Sequence, residues 1–546
     1  MTAAGGTVPA RRSGGVLTGT GSLVRLALRR DRILMPVWVS VFVVMASSSA
    51  AATMDLYPTV GSRVQAAAGL NSTPSLVAMY GKVYDPASLG AVATWKLSGF
   101  GAALVAVLAV ILVVRHTRAE EESGRLELVG SGVVGRHATL TAALLEALAM
   151  NLLVALLTAG ALSAVGLPAA GSLAFGLAWG ATGLAFSGVA AAAAQVAQSA
   201  RSAIGMSCAL LGATYLLRAL GDTADPGGPT WASWLSPIGW EQKTQAFAHE
   251  RWWVLLLFVL FAAGTTGAAY VLAARRDLGA GLLPDRLGPR TAGPGLVSPL
   301  GLAWRLHRGV TAAWLIGFVV LGAVLGSIAT NLGSMINSPQ AQDFIRRLGG
   351  QNGLTDAFLA AEMAFSAVFA SAYGVQAALR LRAEEDGRRA EPLLATGIGR
   401  IRWAASHLVI ALFGSAALLL TGAAVAGASY ASSTGEGRQF WRVLAAGLVQ
   451  IPSVWVVIGL VTALFGWAPR AGAGGWVALV AFLLLGELGP LLRLNHWLMD
   501  LSPFAHTPRL PGPVFHPAPL LWLLLVAFVL LAAGLTGARR RDLASG

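Results

Sequence analysis

Charge is scarce in this chain. Only 12% of its 546 residues are Asp, Glu, Lys or Arg, about half the ~25% typical of soluble domains. Cysteine occurs once, as Cys208 inside an apolar run, which excludes a disulfide framework and any cysteine-based metal site. Lysine occurs only at Lys82, Lys96 and Lys243. A P-loop needs Gly-Lys-[Ser/Thr], because backbone N–H groups cradle phosphate while the lysine neutralises it. Gly81-Lys82 is followed by Val83, and neither other lysine follows a glycine, so the chain carries no ATP-hydrolysing P-loop. It also contains no HExxH and no GxSxG. His496, His506 and His516 stand ten apart with prolines between them, which is not ligand spacing, so no metal site is expected.

What is abundant is apolar. Hydrophobic residues make up 55% and mean hydropathy is +0.67. Apolar runs of 18 or more residues exclude a soluble multidomain enzyme and a disordered chain. Twelve segments recur, near 34–53, 97–114, 139–164, 171–195, 203–220, 253–273, 310–330, 360–379, 403–428, 443–466, 475–491 and 519–538. Continuous runs of this length predict an all-α integral membrane protein, since a barrel would show short alternating strands. The first twenty residues lack the apolar core of a cleavable signal, so 1–21 reads as a disordered cytoplasmic tail.

The net charge of +14 would suggest nucleic acid in a soluble protein, but here it sorts by side. With the N-terminus inside, the inner segments hold 27 arginines against 12 acids, whereas the outer loops balance. The positive-inside rule therefore puts both termini in the cytoplasm, with no role for nucleic acid.

The two halves repeat. Arg118-Ala-Glu-Glu-Glu-Ser-Gly-Arg-Leu-Glu127 aligns without gaps on Arg382-Ala-Glu-Glu-Asp-Gly-Arg-Arg-Ala-Glu391. Gly135-Arg136 matches Gly399-Arg400, Arg275-Arg-Asp-Leu278 matches Arg540-Arg-Asp-Leu543, and Leu235-Ser-Pro237 matches Leu501-Ser-Pro503. Six spans per half, an even number, make these parallel repeats, with a pathway between them as the natural inference. The halves are 22–278 and 301–546, joined by a Gly/Pro/Arg-rich cytoplasmic linker, 279–300.

The repeated loops hold the densest charge: Glu120, Glu121, Glu122, Arg125 and Glu127, then Glu384, Glu385, Asp386, Arg389 and Glu391. Spacings such as Glu121–Arg125 and Glu385–Arg389 predict a short cytoplasmic helix in each. Topology needs only basic residues, so the acids point to a docking surface for a partner. Ahead of each half lies an amphipathic segment. Leu23, Leu26 and Ala27 form an apolar stripe beside Arg25, Arg29 and Arg32, which suits the membrane interface and its lipid. Leu302 to Arg308 is a weaker copy, equally readable as plain positive-inside flank.

Four charged residues fall within spans or at a span end. Glu146 and Glu487 face either a cavity or an interhelical hydrogen bond. Arg218 and Asp222, four apart at the outer end of span 5, are expected to pair locally. Outer loops 221–252 and 492–518 are rich in Trp and Pro, with Trp231, Trp234, Trp240, Trp252 and Trp253 expected as interface anchors. Asn71-Ser-Thr73 is a sequon with no expected role.

The paired loops, the amphipathic entry helix and the six-span halves resemble the permeases of type-2 ABC exporters. Arg218-Ala-Leu-Gly-Asp222, Trp234-Leu-Ser-Pro-Ile-Gly-Trp240 and Ala274-Arg-Arg-Asp-Leu-Gly-Ala-Gly281 narrow the likeness to the fused, duplicated permeases of actinobacterial polyketide-antibiotic (tetronasin-type) exporters. The resemblance covers nearly the whole chain. It implies coupling helices at the two charged loops and a separate ABC ATPase subunit in two copies. ATP and Mg would then be bound by that partner, and no cofactor by this chain. It also implies outward movement of hydrophobic drugs or antibiotics across a bacterial plasma membrane, and short re-entrant helices capping the exit. The second half lacks an Arg-Ala-Leu-Gly-Asp counterpart, so the halves should differ at the outer face. The alternative is a proton-driven twelve-span carrier of the major facilitator type, which Asp386-Gly-Arg-Arg389 partly echoes. A membrane enzyme would need clustered acids or histidines at one interface and fits less well, so no catalytic residue is assigned.

Overall fold

The computed structural model describes residues 15–72, 74–130, 132–224, 228–277, 279–283, 290–331, 350–472, 474–488, 495–511 and 516–541. The chain divides into two compact units, Met1–Leu287 and Gly288–Gly546. Among the described residues every regular element is helical. Eleven helices are long and apolar enough to cross a membrane.

The first unit opens with α1 (Thr20–Arg30), an elbow at Asp31, and α2 (Leu34–Leu56). Three short helices follow, α3 (Val60–Ser72), α4 (Pro74–Tyr80) and α5 (Leu89–Thr94). They lie between the first two expected spans, 34–53 and 97–114. Next come α6 (Ser98–His116), the short α7 (Arg118–Glu122) and α8 (Arg125–Gly130), then α9 (Ala138–Ala164), α10 (Ala169–Val196) and α11 (Ala200–Thr223). α12 (Pro237–Lys243) and α13 (Val254–Ala274) complete the unit.

Local chemistry sets several boundaries. Ser199 and Ser236 cap α11 and α12 by accepting from Ser202 N and Gly239 N, and Pro237 occupies the first turn of α12, where its missing N–H costs nothing. The core sits around α10, whose Phe175, Trp179 and Phe186 are fully buried. Close approach is possible because α10 is built of small residues. A Cβ on Gly176 would lie 2.2 Å from Ala155 O of α9, the kind of contact that drives helix association in lipid.

The second unit comprises α14 (Pro299–Asn331), α15 (Gly350–Asp386), α16 (Ala390–Ala395), α17 (Arg400–Thr434), α18 (Gly437–Leu448), α19 (Ile451–Trp467), α20 (Gly474–Leu488), α21 (His496–Met499) and α22 (Ala518–Arg540).

Four expectations need correction. The amphipathic segment before the second half is no separate helix, because α14 runs unbroken from it into the span. The second charged loop is not an isolated helix either, since α15 continues straight to Asp386. The span expected at 443–466 is present as Gly437–Trp467, but it is interrupted at Val449 and Gln450, ahead of Pro452, into amphipathic α18 and buried α19. Finally, of the segment 475–491 the described residues form α20, whose apolar part, Gly474–Leu483, is shorter than a full span, and 489–491 lie outside the described residues. The tail 1–21 lies mostly outside the described residues, and Thr20 already belongs to α1.

Candidate functional site: the charged loops and the opposite cap

Three of the four repeated sequence blocks meet in space within each unit. In the first, Glu121 of α7 takes a bidentate ion pair from Arg276, just past α13, at 2.5 and 2.8 Å. Arg136 donates to Arg276 O at 3.2 Å. In the second unit one terminal nitrogen of Arg541 donates to both oxygens of Glu385 at 2.7 and 2.8 Å, and Arg400 donates to Arg541 O at 2.6 Å. The planar guanidinium fork suits the two-nitrogen geometry of the Arg276–Glu121 pair. The block matches are thus structural: they tie the loop after the second span of each unit to the end of its last span.

This pairing corrects the sequence expectation. Glu121 pairs with Arg118 and Arg276 rather than Arg125, and Arg389 pairs with Glu384 rather than Glu385. Arg118 is 1% exposed. It donates to Gln198 O at 2.8 and 3.0 Å and to Ala280 O at 3.1 Å, so it holds α7 against the start of α11.

The ten loop residues therefore divide. Glu121, Glu384 and Glu385 are consumed in partners within their own unit. Glu120 pairs with Arg30 of α1, joining the entry helix to the loop. Glu122 is exposed but accepts from Ala200 N at 2.9 Å, adding a carboxylate to the N-terminus of α11. Arg125, Glu127, Asp386, Arg389 and Glu391 present exposed side chains. Arg25, Arg29 and Arg32 are exposed around α1, whose Ala27 is buried.

At the opposite end of the first unit, Arg218 and Asp222 do pair, at 3.7 Å, but both are buried. Arg218 also donates to Val77 O and Met79 O at 3.3 and 3.1 Å and lies over the Tyr215 ring. Asp222 accepts from Ser233 Oγ at 2.7 Å. The motif thus anchors α4 and the segment leading into α12. α12 adds Gln242, which donates to Tyr80 O at 2.8 Å, and Lys243, which donates to the Tyr84 hydroxyl at 3.0 Å. Glu241 accepts from Ser98 Oγ at 2.7 Å. Burial pushes its carboxyl up to about 8, against the lowering effect of the Ser98 hydrogen bond and Arg218. Burial also lowers Lys243 and raises Tyr84.

Of the five tryptophans, Trp231, Trp252 and Trp253 are exposed, whereas Trp240 packs edge-on to Phe258 and Trp234 stacks on Trp253. The second unit has Ser502 buried and a short turn Pro503–His506 at the matching place.

Glu146 is buried in α9, and its Oε2 lies 3.3 Å from His116 Nε2, which also meets Asp31 Oδ2 at 2.7 Å. Sequence reasoning missed Asp31 and His116, which are 85 residues apart and share no motif. In the second unit the residue 276 positions after Asp31 is His307, and its Nε2 meets His407 Nδ1 at 3.0 Å. Glu487 falls on α20, and its side chain lies outside the described residues.

A family model described as the C-terminal domain of multidrug efflux system permease Rv1217c matches residues 296–539. A Mycobacterium tuberculosis protein described as multidrug efflux system permease protein Rv1217c is 44% identical over 542 residues, covering 99% of this chain and 97% of the relative. The chain belongs to the Rv1217c family of permeases. It is a multi-pass membrane permease, and its resemblance to ABC-exporter permeases is consistent with that family.

Proposed function

We propose that this permease is the membrane subunit of an ATP-driven multidrug exporter, with ATP and Mg bound by a separate ABC ATPase present in two copies. The related permease is named for multidrug efflux, which supports hydrophobic drugs, polyketide-type antibiotics among them, as cargo. The observation that carries the reading is the repeated tie of Glu121 to Arg276 and of Glu385 to Arg541. It fixes each charged loop to the last span of its unit, so force applied at the loop reaches the helices without slack. The side chains left exposed, Arg125, Glu127, Asp386, Arg389 and Glu391, carry both signs, as a docking surface requires. The positive-inside bias supports placing these loops and both termini in the cytoplasm of a bacterial cell.

The test is the double variant Glu127→Arg, Glu391→Arg, since both side chains are exposed. It should reach the membrane at the wild-type level, lose co-purification of the ATPase, and lose drug efflux. Unchanged efflux and co-purification would sink the docking assignment. Transport that persists without nucleotide and follows a proton gradient would instead favour a secondary carrier.

A further inference from the structure

We propose that Asp31, His116 and Glu146 form a binding site for a divalent transition-metal ion of the Zn2+ type. The three residues come from three segments: the elbow between α1 and α2, the end of α6, and the middle of α9. Their ligand atoms all lie within 4.8 Å of one another. His116 Nε2 is 2.7 Å from Asp31 Oδ2 and 3.3 Å from Glu146 Oε2. Bonds of about 2.0–2.2 Å place tetrahedral neighbours roughly 3.3–3.5 Å apart, so small side-chain shifts would seat an ion among them.

Burial and valence point to a ligand. Asp31 and Glu146 are both 0% exposed, yet neither oxygen of Glu146 has a hydrogen-bond partner. The Arg115 guanidinium, 3.0 Å from Asp31 Oδ1, is the charge that offsets Asp31, and among the described residues no arginine or lysine pairs with Glu146, which meets only His116. Buried carboxylates are normally paired or coordinated to metal. Protonating His116 would supply one N–H at Nε2, to be shared by two carboxylates, and would leave Glu146 Oε1 as it is. A metal ion uses both. One imidazole and two carboxylates, with no thiolate, suit the borderline first-row ions better than Mg2+ or Ca2+, which take all-oxygen shells. His116 also lines a shallow pocket with Leu23, Arg30, Glu120 and Arg125, which gives the ion a route in. A bound ion would pin the entry-helix elbow to the second and third spans.

The experiment uses the full chain in detergent, purified through a tag without histidine, exposed to Zn2+ and then desalted. Wild type should retain about one zinc per chain, with an unfolding temperature that rises on loading and falls with EDTA. Glu146→Gln and Asp31→Asn should bind at least tenfold more weakly, whereas His506→Ala, at an exposed histidine outside the cluster, should match wild type. X-ray absorption at the zinc edge of wild type should show nitrogen and oxygen ligands with a single imidazole, a readout that does not depend on any variant folding. Less than stoichiometric zinc in wild type, undiminished binding in Glu146→Gln, or several imidazoles at the edge would overturn the assignment. The first of these outcomes would leave the cluster as a metal-free network of buried side chains.

Discussion

Glu121 and Arg276 stand 155 residues apart in sequence and form one bidentate ion pair in the first unit. Both side chains are 9% exposed, so the pair is largely withdrawn from water. Its counterpart, Glu385 with Arg541, joins the same two segments of the second unit through a single guanidinium nitrogen.

Replacing Glu121 with Gln leaves the Arg276 guanidinium without its carboxylate. Breaking one partner of such a buried pair costs roughly 3–5 kcal/mol. The expected result is a lower unfolding temperature in detergent and faster proteolysis of the 117–131 loop. Arg276→Lys should fail to restore wild-type behaviour, because an ammonium cannot reproduce the fork. Wild-type stability in Glu121→Gln would show that the pair contributes nothing.

Glu241 makes the cap of the first unit pH-sensitive. Its carboxyl is raised from 4.5 to about 8 by burial, so between these values the folded state holds a proton that the unfolded chain releases. Stability from this group is full below about pH 4 and declines as pH rises towards 8. Thermal unfolding followed from pH 5 to pH 9 should show a decline in wild type that is reduced in Glu241→Gln. Parallel curves for the two proteins would contradict this.

Helix contact in the second unit depends on Gly322 and Gly326 of α14. A Cβ at these positions would lie 2.4 Å from Gly422 O and 2.5 Å from Ala426 O of α17. Backbone cannot yield as a flexible side chain does, so Gly322→Ala should cost about 1–3 kcal/mol. Gly317→Ala, on the same helix with nothing within 4 Å, should be neutral or gain up to about 1 kcal/mol from better helix propensity. The comparison is made by thermal unfolding, and equal effects at the two positions would refute it.

Much of this architecture is legible in the sequence, and what is not has a common physical origin. Apolar runs mark the spans because lipid demands about twenty such residues. The duplicated blocks mark the two units. The partners of the charged residues are hidden, because helical spacing favours local pairs such as Glu121 with Arg125, whereas burial favours the distant Arg276. Arg218 with Asp222 is visible as a pair, but the Val77 and Met79 carbonyls that give Arg218 its role are not. Glu146 is visible as an acid within a span, but its neighbours Asp31 and His116 are not, since three segments must pack before they meet. The break ahead of Pro452 was the exception. A proline within an apolar run carries that signal, yet the run's continuity outweighed it.

The tie between Glu121 and Arg276 also has a consequence in time. Synthesis delivers the loop long before its anchor, with 155 residues and four further spans in between. Until the end of α13 has entered the bilayer, the loop has Arg118 and Arg30 but lacks its tie to the last span, and the second unit repeats the delay over 156 residues. Each charged loop is therefore set last. A half-inserted permease would present an unset loop, and a partner that needs the finished surface would engage only chains whose insertion is complete.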